Sequence, residues 1–129
     1  MIVGQLITKN LVSLPSNSTI KEVADMMIKE NVGSVVLKDG EKISGIVTER
    51  DIVNAVHRGL SLNSPAIEIA STNLIRIDYN KSIYDAFYLM TRNNIRHLII
   101  EKDGKCVGVI SIRDVAKAFS LMIAEQMSY

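Results

Sequence analysis

Residues 11–55 of this chain align without a gap on residues 74–118, each position meeting its counterpart 63 residues later. Leu11, Asn17, Ile20, Met27, Asn31, Lys42, Gly45, Arg50, Asp51 and Ala55 meet identical partners. Val12 with Ile75, Val32 with Ile95, Leu37 with Ile100 and Ile52 with Val115 exchange like for like. A duplication of this kind forces one architecture to occur twice. One copy alone buries too little surface to fold readily, so the two are expected to pack on each other. A division by repeat puts one half at residues 1–60 and the other at residues 61–129.

Each copy predicts the same order of elements. A short strand at residues 11–14 or 74–77 leads into a turn rich in Pro, Ser, Asn and Asp. A helix then opens on a capping box, Thr19 with Glu22 or Ser82 with Asp85. Helical spacing predicts a buried face of Ile20, Val23, Ala24, Met27 and Ile28, and in the second copy of Ile83, Ala86, Phe87 and Met90. Asn31 and Asn94 stand where a left-handed residue ends a helix. Residues 34–37 and 97–100 are continuously apolar, as strands buried on both faces should be. Asp39-Gly40 and Asp103-Gly104 supply hairpin turns, and residues 43–47 and 106–110 return along the hairpin. A last helix starts at Thr48 or Ser111.

Residues 58–65 read as a linker, and related lead-ins at 3–9 and 66–72 precede the two first strands. The C-terminal helix carries Val115, Ala116, Ala118, Phe119, Met122 and Ile123, more apolar surface than one core-facing stripe needs. The excess predicts a partner, with a homodimer the simplest choice.

Net charge is +1 with no run of lysine or arginine, which weighs against nucleic acid and anionic membranes as partners. Cys106 is the only cysteine, so neither an intrachain disulfide nor a thiolate metal site is expected; it reads as a small core side chain. The first residues lack the charged region and cleavage site of a signal peptide, and no apolar run reaches the roughly 20 residues that span a bilayer. A cytoplasmic location is the expectation.

The duplicated device is Gly45, Ile46, Val47, Thr48, Glu49, Arg50, Asp51, repeated as Gly108, Val109, Ile110, Ser111, Ile112, Arg113, Asp114. A buried strand ends at a hydroxyl that caps a helix, with a carboxylate three residues on. One reading is purely structural, a capping box that satisfies the helix N–H groups. The other is a ligand site at the end of a sheet. Free N–H groups at a helix start attract anions, Arg50 and Arg113 suit phosphate oxygens, and an ionised aspartate accepts from paired hydroxyls such as those of ribose. No phosphate loop of the Gly-x-x-x-x-Gly-Lys-Ser/Thr type is present, so nucleotide hydrolysis is not expected. His57 and His97 have no clustered ligands to support a metal, and His57 reads as a helix C-terminal cap. A Ser111, His97, Asp114 triad lacks the glycine pattern of a nucleophile elbow, so no catalytic residue is expected.

These paired motifs, set at fixed phase in a duplicated strand–helix–hairpin–helix unit, resemble a CBS-domain pair, also called a Bateman module. The resemblance covers nearly the whole chain. It implies an α+β fold of two pseudo-symmetric β-α-β-β-α repeats packed through their sheets, and a regulatory rather than enzymatic module. It further implies clefts for adenosine derivatives, namely AMP, ADP, ATP or S-adenosylmethionine, with aspartate on the ribose and Thr or Ser on the phosphate. One cleft would use Thr8, Val32, Gly33, Ser34, Val35, Ile110, Ser111, Arg113 and Asp114. The other would use Val47, Thr48, Arg50, Asp51, Ser71, Ile95, Arg96, His97 and Leu98. The small Gly33-Ser34 corner favours the Asp114 cleft, whereas Arg96 and His97 suit more phosphate charge. Ile112 has no evident ligand role. The implied partners are an adenosine-type ligand, a second copy and an effector protein; the alternative is a dimerisation module without ligand.

Overall fold

The computed structural model describes residues 1–8 and 10–127; Lys9, at the end of the first lead-in, and residues 128–129 lie outside them. The fold is α+β, with β1 (Ser13–Leu14), α1 (Ile20–Glu30), β2 (Ser34–Asp39), β3 (Lys42–Thr48), α2 (Glu49–His57), β4 (Arg76–Asp78), α3 (Ile83–Asn93), β5 (His97–Lys102), β6 (Lys105–Ser111) and α4 (Ile112–Met127). Two compact units result. One is Val12–Leu74; the other joins Met1–Leu11 to the chain from Ile75 onward.

In the Val12–Leu74 unit β1 runs parallel to β2, and β2 antiparallel to β3. The other unit repeats this with β4, β5 and β6. The first strands are shorter than expected. Their ladders are continued by single hydrogen bonds, Val36 N–H to Val12 O (3.0 Å) and Ile99 N–H to Ile75 O (3.1 Å). Val35, Val36 and Leu37, like Leu98, Ile99 and Ile100, are buried without a break, so both faces of each central strand are covered, as the apolar runs predict.

Both hairpins close with two-residue loops of different kinds. Gly40 has φ 58°, and Asp39 is the last residue of β2 and not part of the turn. Asp103 and Gly104 both have positive φ, 52° and 77°. The glycine therefore moves by one position between the copies while the pairing register stays the same. Each ladder also slips at one place, after Leu37 and after Ile100, which leaves Ser44 and Val107 as the extra residues of matching bulges.

Thr19 and Ser82 cap α1 and α3 through the expected boxes, and Asn31 and Asn94 end them with φ 53° and 51°. The predicted buried faces need correction at two places. Ile28 is 84% exposed and Phe87 45% exposed. The core stripe of α1 is Ile20, Val23 and Met27; Ile28 lies about 100° further round the helix and leaves the stripe. Phe87 falls on the same flank of α3 that the half-buried Ala24 holds on α1, and its ring turns edge-on to Phe119 at 5.7 Å. On α4, Val115 and Ala118 are buried while Leu121, Ile123 and Met127 are exposed, so this helix does carry apolar surface beyond its core stripe.

One core gathers Ile20, Val23, Met27, Val35, Leu37, Val47, Ala55 and Ala66. The other gathers Val3, Ile77, Ile83, Ala86, Met90, Leu98, Ile100, Ile110, Val115 and Ala118. Val3 and Ala66 identify what the lead-ins do. The N-terminal lead-in packs on the second copy, through Val3 N–H to Lys81 O (2.7 Å), Gly4 N–H to Tyr79 O (3.0 Å) and Ile83 N–H to Met1 O (3.2 Å). The second lead-in, with the end of the linker before it, packs on the first copy, through Ala66 N–H to Ser18 O (2.8 Å) and Ile20 N–H to Ser64 O (3.0 Å). A division at residue 60 separates the N-terminal lead-in from the unit it packs in. Among the described residues no helix is long and apolar enough to cross a membrane.

Candidate functional site

The two helix starts are built alike. Thr48 is extended (φ −111°, ψ 167°) and ends β3; its N–H and its hydroxyl both donate to Asp51 Oδ2, at 2.8 and 3.0 Å, and Asp51 N–H returns a bond to Thr48 Oγ1 at 3.4 Å. Ser111 N–H and Oγ donate to Asp114 Oδ2 at 2.7 and 3.1 Å, and Asp114 N–H returns to Ser111 Oγ at 3.3 Å. One carboxylate oxygen therefore completes each capping box. Oδ1 of Asp51 and of Asp114 has no hydrogen-bond partner among the described residues, and both aspartates are half-buried.

The expectation of a row of free N–H groups is corrected. Glu49 N–H is bonded to Gly33 O (3.1 Å) and Ile112 N–H to Arg96 O (2.8 Å), while Asp51 and Asp114 spend theirs on the cap hydroxyls. In the first three positions only the N–H groups of Arg50 and Arg113 have no partner among the described residues. The guanidinium groups of both arginines are exposed and make no ion pair there. The roles of Gly33 and Arg96 as backbone acceptors carry no sequence signature, because any residue has a carbonyl.

Within the Val12–Leu74 unit lie Val32, Gly33, Ser34, Val35, Val47, Thr48, Arg50, Asp51 and Ser71; Ser34 pairs with Thr48 and Val35 with Val47. The other unit holds Thr8, Ile95, Arg96, His97, Leu98, Ile110, Ser111, Arg113 and Asp114, with His97 paired to Ser111 and Leu98 to Ile110. In each unit the corner and the helix start are thus brought to one end of the sheet. Each residue set implied by the resemblance draws on both units. Val35, Val47, Leu98 and Ile110 are fully buried, which leaves their backbone as the part able to meet a ligand.

Two features escaped the sequence reading. Glu49 sits beside Gly33, its Oε1 only 3.0 Å from where a β-carbon on that glycine would lie. Ser71 is tied into the sheet as a β-bridge to Ile46, with Ile46 N–H to Ser71 O at 3.0 Å and Ser71 N–H to Ile46 O at 2.9 Å. The β-bridge is a backbone pairing, which the side-chain pattern does not encode.

At the opposite, hairpin end of the first sheet lies an open depression of about 830 Å³, lined by Pro15, Ser16, Asn17, Asp39, Ser44, Pro65 and Ile67. Ser16 N–H donates to Asp39 Oδ1 (3.2 Å), and the Ser16 and Ser44 hydroxyls share a 2.6 Å bond. Hydrogen bonding from Ser16, with Lys42 adding a smaller attraction, holds the Asp39 carboxyl below its ordinary pKa. No cluster of three or more His, Cys, Asp or Glu able to hold a metal occurs among the described residues.

Comparison with known proteins agrees with this geometry. The CBS domain family matches residues 3–58 and 66–121. An uncharacterised 17.7 kDa protein of Acidianus ambivalens is 36% identical, over 90% of this chain and 71% of its own. The CBS domain-containing protein YhcV of Bacillus subtilis is 31% identical, over 88% and 82%. Among solved structures, a CBS domain protein from Pyrobaculum aerophilum complexed with AMP superimposes with a TM-score of 0.84 at 37% identity, covering 97% of this chain and 99% of that one. The CBS domain pair of protein MJ0100, in complex with 5′-methylthioadenosine and S-adenosyl-L-methionine, gives 0.79 at 26% identity over 92% and 99%. With both repeats matched, and with the fold shared along nearly its full length, this chain belongs to the CBS domain family.

Proposed function

We propose that the protein is a regulatory module that binds an adenosine-type ligand and reports its presence to a partner protein, without catalysing a reaction. The observation that carries the reading is the pair of half-buried aspartates whose Oδ1 atoms have no partner while Oδ2 completes the helix cap. An ionised oxygen at that position accepts from the adjacent hydroxyls of a ribose. The N–H and guanidinium of Arg50 or Arg113 suit the 5′-phosphate, with Thr48 or Ser111 beside them. The AMP carried by the Pyrobaculum aerophilum relative supports AMP as the first ligand to try. The Asp114 site is the first candidate, since its first turn bears no second carboxylate, whereas Glu49 precedes Arg50 at the other.

Calorimetric titration with AMP, ATP and S-adenosylmethionine tests the proposal. Loss of a charge-assisted hydrogen bond costs about 1.5–3 kcal/mol, so Asp114→Ala should weaken one site roughly 10- to 150-fold. Binding that survives both Asp51→Ala and Asp114→Ala unchanged would overturn it. A second reading is favoured by the completeness of the two capping boxes: they satisfy the helix starts with no ligand at all. On that reading no nucleotide raises the melting temperature, and the aspartate variants lose stability only.

A further inference from the structure

The glycine that opens each motif touches no helix start, and what it does touch differs between the copies. A β-carbon on Gly45 would stand 2.9 Å from the Ala70 β-carbon and 3.1 Å from Ser71 O. Neither can swing aside, because one is the first atom of a side chain and the other is backbone held by the bridge to Ile46. A β-carbon on Gly108 would stand 2.9 Å from Ile7 Cδ1 and 3.1 Å from both Cγ1 and Cγ2 of Ile7. The nearest of these, Cδ1, is the far end of the side chain and can turn aside about χ2, while the two Cγ atoms need give only by a few tenths of an ångström. At Gly45 the lead-in backbone comes down onto the strand; at Gly108 a larger side chain fills the gap.

From this contrast we infer that Gly45 is a positioning residue: its missing side chain seats the second lead-in against β3 and thereby fixes Ser71 two residues along the pairing from Thr48. The inference rests on the ribonucleotide reading above and deepens it by naming what holds one arm of the Asp51 site. A methyl group at position 45 lifts the lead-in, breaks the Ser71–Ile46 bridge and removes Ser71 from the ligand, while the capping box of Thr48 and Asp51 stays formed. The same change at Gly108 is absorbed by Ile7.

Amide hydrogen exchange and AMP titration on the full chain decide it together. In Gly45→Ala the Ser71 and Ile46 amides should exchange roughly tenfold faster or more, with the amides of α1 and α2 unaffected, as expected for a local opening. Affinity at the Asp51 site should fall roughly 3- to 10-fold, the loss of about one hydrogen bond. Adding Ala70→Gly removes the opposing β-carbon and should restore most of both, which a general loss of stability would not allow. Gly108→Ala should leave AMP affinity within about twofold, given the freedom of Ile7. If Gly45→Ala does not fold, Ala70→Val presses on the same contact from the other side and should speed the same two amides. Unchanged exchange at Ser71 and Ile46 in these variants overturns the seat. AMP binding that ignores Asp51→Ala and Asp114→Ala, with exchange at Ser71 altered as stated, overturns the ribonucleotide reading and leaves the seat standing.

Discussion

Asp51 and Asp114 each engage one carboxylate oxygen in a helix cap, and the proposed task of the other can be tested at a single atom. Oδ2 accepts from the cap N–H and hydroxyl; Oδ1 has no partner among the described residues, and on the proposed function it is the oxygen that meets the ligand. An asparagine at position 114 has one acceptor oxygen and cannot serve both. Asp114→Asn should therefore keep most of the cap that Ala would remove, yet lose ligand affinity nearly as far as Ala does. Thermal melts and AMP titrations of the two variants, compared side by side, check this; equal stability losses for Asn and Ala would contradict it. Asp39 offers a residue-scale test by pH. Its carboxyl is held below the ordinary value by hydrogen bonds from Ser16, so the folded chain binds that proton more weakly than the unfolded one. Its contribution is complete above the unfolded value near pH 4 and disappears as the pH falls through the lowered one. The melting-temperature gap between the wild type and Asp39→Asn should thus be present at neutral pH and close on acidification.

At the scale of elements, what could be read in the sequence is what a few neighbouring residues decide among themselves. Thr19 with Glu22, Ser82 with Asp85, and the left-handed Asn31 and Asn94 all depend on side chain meeting backbone within one turn. Ile28 and Phe87 leave the buried stripe because a stripe at helical spacing has two flanks. Which flank faces the sheet depends on the angle at which the helix lies, which local sequence does not encode. The Asn31 and Asn94 positions yield a prediction of their own. A β-carbon in the left-handed region costs about 1–2 kcal/mol, which asparagine offsets better than alanine does. Asn94→Ala should lower stability by about that amount in a denaturant titration, while Asn94→Gly should hold it or raise it slightly.

For the whole molecule, the offset of 63 residues relates the two lead-ins but says nothing of which copy each one packs on. The exchange seen here, with Val3 in one core and Ala66 in the other, arises from backbone hydrogen bonds that leave no mark in composition. The helix surfaces carry the last prediction. Ile28, Val53 and Val56 are exposed on α1 and α2, and Tyr84, Phe87, Tyr88, Leu121 and Ile123 on α3 and α4. Apolar side chains exposed at this density on several helices favour association, and a closed two-fold pair is the commonest way to cover them. We propose that a second copy does so in solution. Sedimentation at micromolar concentration should then give twice the 14.3 kDa chain mass. Val53 is 65% exposed, so Val53→Glu puts a charge on the aliphatic face without entering a core. Phe87→Glu does the same on the aromatic face, giving up one ring contact with Phe119 worth about 0.5–1.5 kcal/mol. Whichever variant sediments as a monomer while keeping a cooperative melt marks the face that a second copy covers. A monomeric wild type would end the dimer proposal and leave those helix faces to a different protein.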